Sequence, residues 1–159
     1  MYAMRLRATR HARLLQLTYD LLEPVFRRIE PLWRRIGYDR LEGPLAGLER
    51  WFKGPLFDCR MCGRCILSST GMTCPMNCPK SIRNGPCGGV RPDGNCEIDT
   101  SMRCVWVEAW SGGRRMRDGV GEMRLVQEPS DHSLSGTSAW LRHFRERVPI
   151  GPGGESLRS

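Results

Sequence analysis

Eight cysteines lie between residues 59 and 104 of a 159-residue chain: Cys59, Cys62, Cys65, Cys74, Cys78, Cys87, Cys96 and Cys104. No histidine falls among them, since His11, His132 and His143 are all outside the stretch. The soft ligands here are therefore all thiolates, a donor set that suits iron–sulfur clusters and zinc. The first three cysteines are spaced C-x2-C-x2-C. That spacing sets three thiolates on one tight loop and fits three corners of a [4Fe-4S] cube. Zinc more often draws its ligands from two separate C-x2-C pairs. Cys74-Pro75 and Cys78-Pro79 are Cys-Pro steps, like the step that ends the bacterial ferredoxin run. Eight thiolates suffice for two four-cysteine sites. Cys59, Cys62 and Cys65 belong on one of them, with Cys74, Cys78 or a later cysteine as the fourth ligand. The expected cofactor is one or two [4Fe-4S] clusters, with Zn2+ as the alternative.

The surroundings support thiolate chemistry. The glycines of Asn84-Gly85-Pro86-Cys87-Gly88-Gly89 let backbone N–H groups approach sulfur, which raises a cluster's reduction potential; they also permit a tight turn. Lys80 and Arg83 add positive charge nearby and favour thiolate over thiol. No catalytic residue stands out. Glu97, Asp99 and Glu108 read as solvated surface acids. There is no G-x-G-x-x-G dinucleotide fingerprint. The Gly112-Gly113 pair followed by Arg114-Arg115 is too weak a signal for a phosphate site.

The elements that position this stretch lie on either side of it. The expected fold is a small, α-rich, irregular, metal-stabilised domain, with a helical arm followed by a loop-rich cysteine module. Residues 1–55 form the arm. Leu15, Leu22, Val25, Phe26, Ile29, Leu32, Trp33 and Ile36 recur at spacings of three and four, which predicts an amphipathic helix over 12–36. Within it Glu23-Pro24-Val25-Phe26-Arg27-Arg28-Ile29 is echoed by Glu30-Pro31-Leu32-Trp33-Arg34-Arg35-Ile36. Proline removes a backbone donor, so kinks or restarts are expected there. Leu41, Leu45, Leu48, Trp51 and Phe52 predict a second, short helix that ends near Gly54-Pro55. The apolar stripe is long, and docking on another subunit is the preferred reading, with packing on the cysteine module as the alternative.

Residues 56–110 form the cysteine module. It is rich in turn signals and poor in apolar residues, so metal must supply its folding energy. Residues 104–110 fit either a strand or a helical turn. Residues 111–159 read as a linker, a short strand over 123–127, a small helix from Ser138 to Arg147, and a flexible tail over 148–159.

Composition excludes several classes. The chain is too short for a (β/α)8 barrel, which needs about 250 residues. No run of 18 apolar residues exists, so no membrane helix is expected. The net charge is +8, from 25 basic and 17 acidic residues. Two tetrathiolate sites of about −2 each would lower it to roughly +4. The cysteine module itself carries only +1, which argues against nucleic acid as a partner. Polar residues interrupt the apolar N-terminal stretch, so no secretory signal is expected, and the thiols suit a reducing cytoplasm. A mitochondrial presequence is the competing reading of the basic N-terminus.

Cys74-Pro75-Met76-Asn77-Cys78-Pro79-Lys80, Arg83-Asn84-Gly85-Pro86-Cys87-Gly88-Gly89-Val90 and Gly94-Asn95-Cys96-Glu97 together resemble the C-terminal-type domain of methylenetetrahydrofolate reductase. Cys59-Arg60-Met61-Cys62-Gly63-Arg64-Cys65 fits the same pattern. The specific match covers roughly residues 56–110. The resemblance implies a stand-alone partner for a flavin-containing catalytic barrel that reduces 5,10-methylenetetrahydrofolate in one-carbon metabolism. It implies an iron–sulfur or zinc subunit that is not catalytic by itself and that passes electrons to the flavin or stabilises the barrel. A zinc-thiolate interaction module without a redox role is the alternative.

Overall fold

The computed structural model describes residues 2–85, 87–117 and 119–147. Pro86 and the tail expected over 148–159 lie outside the described residues. Five α-helices are present: α1 (Tyr2–Arg10), α2 (Ala12–Ile36), α3 (Tyr38–Phe57), α4 (Val105–Gly113) and α5 (Ala139–Arg147). The described residues contain no strand. Two isolated antiparallel bridges, Val90 with Cys96 and Asn95 with Arg103, are the nearest approach to one. None of the described helices is long and apolar enough to cross a membrane.

The helix expected over 12–36 is present with those limits, but it runs through Pro24 and Pro31 without a break. Each proline costs one intrahelical hydrogen bond. Local pairs offset part of that loss. Glu23 binds Arg27 at 2.7 Å and Glu30 binds Arg34 at 2.8 Å, so each copy of the repeat forms the same i,i+4 ion pair. Such pairs contribute about 0.3–0.5 kcal/mol each. The repeat has a second consequence. Phe26 and Trp33 occupy equivalent places, stand 6.0 Å apart, and both pack on Phe144 of α5. Trp140 of α5 joins them against Phe26 and Phe52.

Gly37 links α2 to α3 at φ +96, and its N–H caps the Trp33 carbonyl. Only glycine enters that backbone region at little cost. The second helix is longer than expected; it passes Pro44 and Pro55 and ends where Asp58 turns left-handed. It brings Phe57 back to Ala8 and Ala12, and these three pack with Leu67, Met72, Cys74 and Met116 in one buried cluster. The start of the arm is therefore tied to the cysteine module. Thr9 meets Thr73 at 2.9 Å, the Tyr2 hydroxyl accepts from the Arg103 N–H, and Gln16 accepts from the Arg117 N–H. The rest of α2 is less covered. Leu14, Leu17, Leu21, Val25 and Leu32 are each more than half exposed, on one stripe.

Residues 104–110, ambiguous by pattern, begin α4. The strand expected over 123–127 is a 3-10 turn followed by extended chain. The reason is local. The Asn84 side-chain amide donates to the Gln127 carbonyl and accepts from the Gln127 N–H, both at 2.8 Å. One side chain thus fills the role of a neighbouring strand.

The cysteine loops pack on α4 through small residues. A Cβ on Gly112 would fall inside contact distance of the Gly71 carbonyl. Gly112→Ala is therefore expected to destabilise the chain by about 1–3 kcal/mol, the usual cost of overpacking. Denaturant unfolding of the anaerobically purified protein would measure it, and an unchanged midpoint would mean the loop tolerates displacement.

Candidate metal centre

Two left-handed residues and one left-handed glycine wind the first cysteine loop. Asp58, Met61 and Gly63 have φ of 52, 49 and 74. A non-glycine residue at positive φ is uncommon and needs its surroundings to hold it. Here the Met61 carbonyl accepts from the Gly136 N–H at 2.8 Å, and the Met61 N–H donates to Cys59 Sγ at 3.4 Å. Gly63 has no room for a side chain, because Leu134 and Thr137 lie against it.

The winding turns Cys59, Cys62 and Cys65 into one narrow cleft of about 20 Å³, which Cys74 also lines. Met61, Met76, Leu67 and Ile66 supply the apolar wall. Cys74 is buried, Cys59 and Cys62 are partly covered, and Cys65 is exposed. Asn77 fixes the Cys-Pro segment by donating to the Phe57 carbonyl at the end of α3. Of the five later cysteines, Cys74 is the one that lines the cleft with Cys59, Cys62 and Cys65. Cys78, Cys87, Cys96 and Cys104 do not line this cleft. Cys78, Cys96 and Cys104 are buried, and Cys87 and Cys104 border the small apolar cluster around Trp106.

Burial shapes the ionisation of the cleft thiols. Burial pushes the Cys74 thiol up to about 12, and the neighbouring Cys59, Cys65 and Cys62 push in the same direction. Burial also raises Cys59, with Cys65 adding to it against the Met61 N–H and Lys53. Thiols raised in this way ionise readily only when positive charge arrives, and a coordinating metal supplies it.

One buried cation, Arg83, lines the cleft, and a second, Lys53, is paired with Glu49, which also lines it. Arg83 is held by the Glu128 carbonyl at 2.7 Å and the Arg64 carbonyl at 3.0 Å, and its third nitrogen approaches Cys62 Sγ at 3.9 Å. Lys53 of α3 donates to Glu49 at 2.5 Å and lies 5.0 Å from the Trp140 ring centre. Burial pulls the Lys53 ammonium down, but the facing Cys65 and then Glu49 outweigh it and hold it above its ordinary value. Glu49 is 1% exposed and itself lines the cleft. Its other oxygen accepts from the Ser138 hydroxyl at 2.8 Å and the Trp140 N–H at 3.2 Å.

The basic residues expected near sulfur are both there, on different cysteines. Arg83 serves Cys62, while Lys80 approaches Cys87 at 3.6 Å and pairs with Glu97. The Gly89 N–H donates to Cys87 Sγ at 3.4 Å, as the glycine motif suggested. Glu97 and Asp99 are exposed acids, as expected, with Glu97 paired to Lys80. Glu108 differs: it pairs with Arg103 at 2.8 Å with little of its side chain exposed. Glu49 and Lys53 escaped the sequence reading. One available signal was that Lys53 is one of only two lysines beside 23 arginines.

The donor set fits a thiolate-bound cluster: four cysteines, an apolar wall, and cations held close behind. Among the described residues, no three His, Cys, Asp or Glu side chains are placed to grip a single ion.

No curated protein and no solved structure matches the chain. The family model described as methylene-tetrahydrofolate reductase C terminal matches residues 38–133. That span is more than half of the chain and takes in α3, all eight cysteines, α4 and every residue lining the cleft except Thr137 and Ala139. On that match, and with the cysteine motifs that carry the resemblance, the chain belongs to the methylene-tetrahydrofolate reductase C-terminal family.

Proposed function

We propose that the chain is the accessory iron–sulfur subunit of a flavin-dependent methylenetetrahydrofolate reductase, passing electrons to the catalytic subunit or stabilising it. The observation that carries this reading is the convergence of Cys59, Cys62, Cys65 and Cys74 on one cleft backed by Lys53 and Arg83. Family membership supports the choice of partner. A [4Fe-4S] cluster held there would supply one-electron transfer at a potential set by its surroundings. The chain's own part is to hold four thiolates, exclude water with Met61, Met76 and Leu67, and offset the site's negative charge. Cys78, Cys87, Cys96 and Cys104 are the ligands left for a second site, with Lys80 and the Gly89 N–H beside Cys87. This reading places the protein in the cytoplasm, where thiols stay reduced.

The exposed stripe of α2 is the surface we assign to the catalytic subunit. Leu21 is 73% and Leu32 55% exposed. Contiguous apolar surface of this kind marks interaction sites. Removing residues 1–36 would not test this cleanly, because Ala8 and Ala12 pack in the cluster that contains Cys74.

Three measurements check the reading. Anaerobic protein should be brown and carry about four iron and four sulfide for each cluster; one or two zinc without sulfide would make it a structural module. Cys74→Ala should lose about four iron per chain, while Arg60→Ala, at an exposed neighbour, should keep the wild-type content. Leu21→Asp with Leu32→Asp should abolish co-purification with the flavoprotein and leave the metal content unchanged. Undiminished co-purification would remove α2 from the interface.

A further inference from the structure

The chain spends one of its two lysines in the interior. Lys53 is 5% exposed, and its partner Glu49, one helical turn earlier, is 1% exposed. Burying such a pair is costly, and well-packed apolar residues in its place often stabilise a protein as well or better. Stability alone is therefore a weak reason for these two residue types. Their position offers another. Glu49 lines the cleft that gathers Cys59, Cys62, Cys65 and Cys74, and Lys53 holds the Glu49 carboxylate at 2.5 Å from the same helix, near enough for charge on Cys65 and Cys59 to act on it.

The two charges are not equally free. Glu49 is engaged three times: by Lys53, by the Ser138 hydroxyl, and by the Trp140 N–H in the first turn of α5. The positive end of that helix also spreads its charge. Lys53 has Glu49 on one side, the Trp140 ring on another, and the cysteine cleft beyond. Adding one electron to a thiolate-bound cluster makes the site about one charge more negative. A fixed positive charge stabilises that reduced state, and a fixed negative charge opposes it. In a low-dielectric interior these effects are strong.

We infer that the Glu49–Lys53 pair sets the reduction potential of a cluster held by Cys59, Cys62, Cys65 and Cys74, Lys53 raising it and Glu49 lowering it. Both are positioning residues and neither is a ligand. The inference rests on the cluster reading given above. It gives opposite signs to two substitutions in one ion pair, which a purely structural role would not do.

The test uses the full chain purified without air, as wild type, Lys53→Met, Lys53→Arg, Glu49→Gln and the double variant Glu49→Gln with Lys53→Met. Iron and sulfide are measured first, and the midpoint potential follows by titration with a chemical reductant under optical detection. Lys53→Met should shift the potential down, Lys53→Arg should leave it near wild type, Glu49→Gln should shift it up, and the double variant should return towards wild type. Glu49→Gln keeps an oxygen for Ser138 and Trp140. If Lys53→Met fails to hold its cluster, the sign is read from Glu49→Gln against wild type, with Lys53→Arg as the control that keeps the charge. Shifts of the same sign in both single variants, or no shift in Glu49→Gln, overturn the inference while a loaded wild type leaves the cluster reading standing. A wild type that carries zinc or no metal overturns both.

Discussion

A thiolate drawn out of water is costly unless positive charge lies beside it, and this chain turns four cysteines into one partly enclosed cleft. That constraint organises the rest of the structure. The loop that carries Cys59, Cys62 and Cys65 is wound by left-handed residues at 58, 61 and 63, a conformation that only outside support sustains. The support comes from distant segments, with the 134–137 turn on one side and the end of α3 on the other. Cys74 sits deepest, and its thiol is pushed furthest from ionisation. Arg83 and Lys53 answer from opposite parts of the sequence, one out of the cysteine module and one out of the arm.

The arm therefore has two duties. Its beginning and its end belong to the cysteine module, through Ala8, Ala12 and Phe57 in a cluster that includes Cys74. Its third helix brings in the buried ion pair and anchors α5, whose first turn binds Glu49. Its middle turns one face to the aromatic contacts with α5 and leaves an apolar stripe to solvent. Packing on the module, one of the two alternatives posed by the sequence pattern, accounts for the ends of the arm, and the exposed stripe of α2 is the surface left for the proposed docking. A partner seated on α2 would lie one helix away from the residues behind the cysteines.

The proposed division of labour follows from this layout. Membership of the reductase C-terminal family is what makes a methylenetetrahydrofolate reductase the partner in that proposal. Among the described residues, the cleft gathers four cysteines, with buried Lys53 and Arg83 near it. In the proposed role the chain would contribute through the charge a cluster stores and the surface it presents.

Much was legible in the residues. Periodicity located α2 to its limits and placed Trp140, Leu141 and Phe144 in a small helix, because amphipathic spacing reports burial directly. Cysteine spacing and the absence of histidine restricted the donor set to thiolates, and the cysteine motifs carried the family. Local pattern failed where distant groups compete with it. Pro24 and Pro31 did not break α2, since Glu–Arg pairs and aromatic packing on α5 hold the helix across them. The segment 123–127 did not form a strand, since Asn84 took its backbone partners. The fourth cysteine of the first group stayed open, because sequence separation says little about which loop closes on which. Tertiary structure brings Cys74 to the same cleft by seating the Cys-Pro turn on the end of α3. It also buries Glu49 and Lys53 beside that cleft: on an isolated helix they are an ordinary i,i+4 pair, and only the covering by α5 and the cysteine loop removes the water that would otherwise screen them.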